Sequence, residues 1–325
     1  MNPFYSNPRF IHRRFTLCFF TNPGIPFLAL LMVTLPCFAL AQQVPDTSFC
    51  FPLQPPAYSA ESGPVVCIDE AHLNFHTISG GFLPFARLLR MDGYRVKPLN
   101  QPISSLKVLN HTDILVIANP IDASDTADWA APNPSAFTKK EIETIRQWVN
   151  QGGSLFLIAD HMPFAGAAHD LGKAFGFDFL NGFAFTRSRT WPPSVFKISD
   201  QTLMPGPVTS GNQEISPIDS VITFTGSAFR IPQDAIPVLV FHAEHYSLQP
   251  DTAWVFSEET PRTALEGYYQ GALLEYGKGR VAVFGEAAMF TAQIANGTIK
   301  AGFNSEVAPQ NAQFLLNVIH WLDGE

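Results

Sequence analysis

Val65-Val66-Cys67-Ile68-Asp69-Glu70-Ala71-His72-Leu73-Asn74-Phe75-His76 is the stretch that decides the fold. Four apolar residues in a row read as a strand buried on both faces, and the abrupt change to ionisable side chains marks its end. Such strands belong to parallel sheets, whose ligands sit outside the carboxyl ends of the strands. The same change recurs. Ile114-Leu115-Val116-Ile117-Ala118 ends at Asn119, Leu155-Phe156-Leu157-Ile158-Ala159 ends at Asp160-His161, and Val281-Ala282-Val283-Phe284-Gly285 ends at Glu286. The chain is therefore expected to be α/β, with four strand ends on one rim.

Helices are predicted between these strands. Phe82, Phe85, Ala86, Leu88 and Leu89 have helical spacing, and Gly93 ends that helix before Tyr94-Arg95-Val96 opens another strand. Thr138 and Glu141 form a capping-box pair ahead of Ile142, Ile145, Trp148 and Val149, with Gly152-Gly153 as the stop. A closing helix over 310–322 turns Phe314, Leu315, Val318, Ile319 and Trp321 toward the sheet. Residues 119–137 make a long connection of the kind that serves as a lid or as a plain surface excursion. Residues 181–233 lose the rhythm and read as an inserted β-rich segment. Val238-Leu239-Val240-Phe241 is expected to resume the parallel order, and Ala253-Trp254-Val255-Phe256 to begin a meander leading to the strand at 280–284.

Arg9, Arg13 and Arg14 precede an apolar run, 27–40, that closes on Ala39-Leu40-Ala41. This pattern predicts a signal peptide over 1–41 and a secreted or periplasmic protein. The run is short for a bilayer and Pro36 interrupts it, so no stable transmembrane segment is expected after cleavage. Cys37 raises a lipoprotein reading, ranked second because Pro36 stands where a small residue belongs. Residues 42–63, with Pro45, Pro52, Pro55 and Pro56, read as a proline-rich tether, which assigns 64–325 to one α/β domain.

The formal net charge is −8, and losing three leader arginines takes it to −11, which excludes nucleic acid as a natural partner. Cys50 and Cys67 remain in an oxidising compartment. A bridge between them and a buried Cys67 acting as a small hydrophobe are equally open readings.

The rim collects carboxylates at Asp69, Glu70, Asp160 and Glu286 and imidazoles at His72, His76 and His161. Histidine nitrogen and carboxylate oxygen are ligands for zinc or another divalent metal, which activates water near neutral pH. His72, His76, Asp160 and His161 are the expected metal set, with Asp69 and Glu70 as acid/base groups. The same side chains also form metal-free acid/base pairs. Asn74, Asn119 and Glu286 are expected to bind ligand, although Asp69 and Asn119 equally suit caps on backbone amides, and Glu286 suits a helix start. Phe75, Phe164, Phe183 and Phe185 fall near the rim, where they suit stacking on a sugar or aromatic ligand, with core packing the expected role of most of them.

Asp69-Glu70-Ala71-His72 with Asn74-Phe75-His76, the Asp160-His161 strand end, and Gly279-Arg280-Val281-Ala282-Val283-Phe284-Gly285-Glu286 resemble the class I glutamine amidotransferase-like superfamily. The resemblance covers 64–180 and 270–322. It implies a flavodoxin-like parallel sheet with helices on both faces. Amidotransferases of that class carry a cysteine on a glycine-flanked elbow, and the matching turn here, Ala159-Asp160-His161-Met162, has neither cysteine nor serine. His242-Ala243-Glu244 therefore has no nucleophile to activate, and glutamine hydrolysis by the cysteine mechanism is excluded. The functional expectation is a His/Asp/Glu rim pocket serving a metal-assisted hydrolase. Its alternative is a non-catalytic domain for a small molecule, carbohydrate or cell-envelope ligand.

Overall fold

The computed structural model describes residues 43–53, 55–188, 194–211 and 216–324, so the expected leader lies outside the described residues. Five strands run parallel: β1 (Val65–Asp69), β2 (Arg95–Leu99), β3 (Ile114–Ala118), β4 (Ser154–Ile158) and, much later in the chain, a fifth over Gly279–Phe284. All residues of β1, β3 and β4 are buried, as strands covered on both faces must be. β2 is the outer strand and carries Arg95, Lys97 and Pro98 on exposed positions, the composition that protects an edge.

Register sorts the apolar residues between two cores. Ile68, Val116, Phe156 and Ala282 lie in one row across the four inner strands, joined by Phe85 and Leu89 of α1 (Leu83–Met91) and by Phe314 and Val318 of the C-terminal helix Asn311–Asp323. Cys67, Leu115, Leu155 and Val281 form the adjacent row. They share the other core with Ile145 and Val149 of α2 (Lys139–Asn150) and with Ala168 and Leu171 of α3 (Phe164–Lys173). The capping box predicted for Thr138 and Glu141 opens α2.

Beyond Gly279–Phe284 the sheet departs from the expected parallel order. Tyr269–Tyr276 runs antiparallel to it as the other arm of a hairpin, followed outward by Ala228–Arg230 and Asp178–Leu180, each antiparallel to its neighbour. Ile236–Val240, expected to be parallel, pairs antiparallel with Tyr269–Tyr276 through an irregular register around Leu239. The fold is thus α/β with a mixed sheet. Residues 253–256 form no strand; Trp254 and Phe256 pack edge-on against Phe183, at 4.5 and 5.2 Å between centroids. Short strands lie within the span 181–233, and they pair partly outside it. Phe183–Thr186 joins a three-stranded sheet with His245–Leu248 and Arg262–Ala264, and Ser194–Lys197 pairs with Ser220–Thr223.

The segment expected to be a tether is held along the body. Gln43–Pro45 pairs antiparallel with Ala292–Ala295, which pairs in turn with Ile299–Gly302. Further along, the amide of Ala57 donates to Asp92 Oδ1 at 2.8 Å, and the Tyr58 hydroxyl bonds Asp323 near the C-terminus. Proline removed the periodicity that would have signalled docking, but it did not remove side chains to dock with. Cys50 is exposed and Cys67 buried, and they are not bridged; Cys67 accepts a hydrogen bond from the Thr112 hydroxyl at 3.2 Å. Among the described residues no helix is long and apolar enough to cross a membrane.

Candidate functional site

The loop after β1 is fixed from behind by a buried ionic chain. Asp69 Oδ2 accepts from His72 Nδ1 at 2.8 Å and from Asn74 Nδ2 at 2.6 Å, while Glu141 Oε1 bonds His72 Nε2 at 3.0 Å. Both ring nitrogens of His72 therefore face carboxylates. Burial opposes the imidazolium, but Asp69 and Glu141 outweigh it and raise the His72 pKa. Burial likewise opposes the Glu141 carboxylate, and its bonds from Thr138 and His72 hold its pKa below the ordinary value. Glu141 thus completes the capping box with one oxygen and holds His72 with the other. Asn74 accepts from the Ala118 amide at 3.1 Å, Glu70 accepts from Ile78 at 2.8 Å, and the Phe75 amide bonds the Asn119 carbonyl at 2.9 Å. These bonds carry the loop across the ends of β1 and β3.

A pocket opens beyond that loop, at the ends of β3, β4 and Gly279–Phe284. Its polar lining includes His76, Asn119, Asp160, His161 and Glu286. Asn119 sits at φ +57, in the left-handed region that asparagine tolerates better than most residues. Its Oδ1 accepts from the Asp160 amide at 2.9 Å, which ties one strand end to the next. Asp160 Oδ1 accepts from the His161 amide at 2.7 Å. Glu286 caps the short turn after its strand, accepting from the amides of Met289 at 2.7 Å and Ala288 at 3.0 Å. Even so, burial and the neighbouring Asp160 carboxylate push the Glu286 pKa well above the ordinary glutamate value.

Burial is the largest influence on both imidazoles of the pocket, and it opposes their charged forms. It pushes His161 down against the pull of Asp160 and takes His76 to about 3. His161 stacks on Phe183 at 4.5 Å, and its Nδ1 bonds the Met162 carbonyl at 2.6 Å. His76 stacks on Phe82 at 4.7 Å, and its Nδ1 is buried without a hydrogen-bond partner. A Cβ at Gly81 would run into that nitrogen, so glycine is required for the ring to occupy this position.

Three aromatic rings in mutual contact also line the pocket. Phe75, Trp129 and Phe164 stand 6.3, 5.3 and 5.7 Å apart pairwise. Trp129 arrives on the long connection 119–137, which is pinned to the loop 249–256 by Ala131 N to the Asp251 carbonyl and Ala253 N to the Trp129 carbonyl, at 2.8 and 3.1 Å. The enclosed room is about 20 Å³, enough for one water-sized group.

The sequence-predicted residues therefore divide in two. His76, Asn119, Asp160, His161 and Glu286 share the pocket, whereas Asp69, Glu70, His72 and Asn74 form the support behind it. The expected metal set does not come together. His72 is engaged on both sides by carboxylates, and among the described residues no group of three or more His, Cys, Asp or Glu side chains is placed to hold a metal ion. Sequence reading missed Gln43 and Gln293, which line the pocket from the paired strands Gln43–Pro45 and Ala292–Ala295. A signal for the second strand existed: Asn296-Gly297, with φ +50 and +76, is a strong hairpin signal and lies in the three residues, 296–298, that join it to Ile299–Gly302.

No protein-family model and no curated protein matches this chain. Solved structures do. The structure titled mmIFT52 N-terminal domain is similar with a TM-score of 0.55 at 15% identity, covering 80% of this chain and 98% of that one. A ThuA-like protein from Bacteroides uniformis has a TM-score of 0.44 at 13% identity, covering 84% of this chain and 95% of that one. A glutamine amidotransferase from Thermotoga maritima has a TM-score of 0.36 at 15% identity, covering 69% and 76%. The first of these supports a shared fold and no activity.

Proposed function

We propose that the rim pocket binds a small ligand of the carbohydrate class, one polar group entering the pocket while the ring rests on the aromatic wall. The observation that carries this reading is the convergence of polar side chains from several strand ends on one cavity walled by Phe75, Trp129 and Phe164. Such a mixture of an apolar wall and a few directed polar groups is how small-molecule sites are built. Trp129 supplies the measurement. Titrating glucose, N-acetylglucosamine and glucosamine into the purified protein is expected to change tryptophan fluorescence saturably with at least one of them, and Phe164→Ala to weaken it. No saturable change with any sugar, repeated by calorimetry, overturns the reading.

The Glu286 carboxyl, its pKa raised by burial and by the neighbouring Asp160, favours a second reading in which the site hydrolyses a glycoside by acid/base chemistry. Glu286 would protonate the leaving oxygen and Asp160 would activate water. Turnover of nitrophenyl glycosides that disappears in Glu286→Gln supports it, and absence of turnover with binding intact returns the site to recognition alone. The leader expected at 1–41 supports a secreted or periplasmic setting. The strand order β2-β1-β3-β4 followed by Gly279–Phe284 supports the flavodoxin-like, amidotransferase-like kinship without its cysteine chemistry.

A further inference from the structure

We propose that the group entering the pocket is a primary ammonium, so that within the carbohydrate reading above the ligand is an amino sugar. Asp160 and Glu286 are 8% and 1% exposed, and no lysine or arginine lines the cavity beside them. A buried carboxyl pair with no cation among its neighbours is complementary to a positive charge. His76 gives an independent indication. It is 3% exposed, lines the same cavity, and makes no hydrogen bond to any described residue, so it stands as an unclaimed polar group.

Phe75, Trp129 and Phe164 pack tilted or edge-on against one another, at 5.3 to 6.3 Å between centroids, and give the same cavity an apolar wall. Size selects among cations. About 20 Å³ takes a group no larger than water, which suits –NH3⁺ and excludes a quaternary head. The three N–H donors of a primary ammonium match the oxygens of Asp160 and Glu286 and the Nε2 of His76, whose Nδ1 lies against Gly81. The carbon skeleton then lies at the mouth, where Phe75 is 46% exposed.

Calorimetric titration with glucosamine, N-acetylglucosamine and ethylammonium, against the wild-type protein and the Asp160→Asn and His76→Gln variants, tests this. Glucosamine is expected to bind about tenfold or more tighter than its neutral N-acetyl derivative. Asp160→Asn is expected to erase that preference while leaving the melting temperature within a few degrees, and His76→Gln to reduce it. Equal or tighter binding of N-acetylglucosamine, or a preference that survives Asp160→Asn, overturns the ammonium. Binding of ethylammonium without either sugar keeps the ammonium and overturns the carbohydrate class. Binding of none of the three overturns both.

Discussion

Asn119 bears more of the site than its size suggests. Its side chain holds the Asp160 amide, its carbonyl holds the Phe75 amide, and its own amide bonds Ile158 at 2.9 Å, so three segments meet at one left-handed residue. Asn119→Ala leaves the buried Asp160 amide unpaired and puts a Cβ-bearing residue with no local compensation at positive φ. A loss of about 2–4 kcal/mol in urea denaturation is expected. Asn119→Gly, which relieves the φ but not the amide, is expected to lose less. His72 and His76 give opposite pH responses. The His72 pKa is raised in the folded protein, so its stabilisation is complete below the unfolded value of 6.5 and lost as pH rises through the folded value. His76 is lowered from 6.5 to about 3, so the unfolded chain takes up its proton first. Stability then falls on acidification between those values by about 1.4 kcal/mol per pH unit from this group. His76→Phe, which keeps a ring against Phe82, is expected to flatten that acid limb in denaturation curves measured from pH 7 to 4. An unchanged slope would show that His76 is protonated in the folded state.

The N-terminal strand makes the pocket depend on an element outside the β-α rhythm. Gln43–Pro45 supplies an edge to Ala292–Ala295 and places Gln43 in the lining. A chain beginning at residue 46 is expected to keep the nine-stranded sheet and its far-ultraviolet circular dichroism but to bind ligand at least several-fold more weakly, because that wall is open. Equal affinity in the truncated chain would remove the strand from the site. This element also marks where sequence reading stops. The β1, β3, β4 and Gly279–Phe284 strand ends were legible because each is a run of apolar residues broken by a polar group, and that contrast is what a doubly covered strand requires. The capping box before α2 was legible because both partners lie within one turn. Strands of three or four residues that pair across 250 positions of sequence leave no such period, and Gln43 with Ala295 is one such pair. The expectation of His72 as a ligand rests on its place among the rim imidazoles; the structure turns its second nitrogen to Glu141, 69 residues away, which no local pattern signals.

The molecule as a whole carries a formal net charge of −8, with both pocket carboxyls at the open edge of a parallel sheet. Such a field draws cations and repels anions over a distance set by salt. The association rate of glucosamine measured by stopped-flow fluorescence is therefore expected to fall as sodium chloride is raised from 0.01 to 0.15 M, with the dissociation rate little changed, as the Debye length shortens from about 30 to 8 Å. A salt-independent association rate would confine the electrostatics to the pocket itself. The pairing of Gln43 with Ala295 has a further consequence, for biosynthesis. The lining draws on residues from 43 to 301, so it is assembled only when nearly the whole chain is available to fold. A nascent chain that lacks the last ribbon has no complete pocket. A ligand of the pocket would therefore add to the stability of the folded molecule rather than guide the chain toward it.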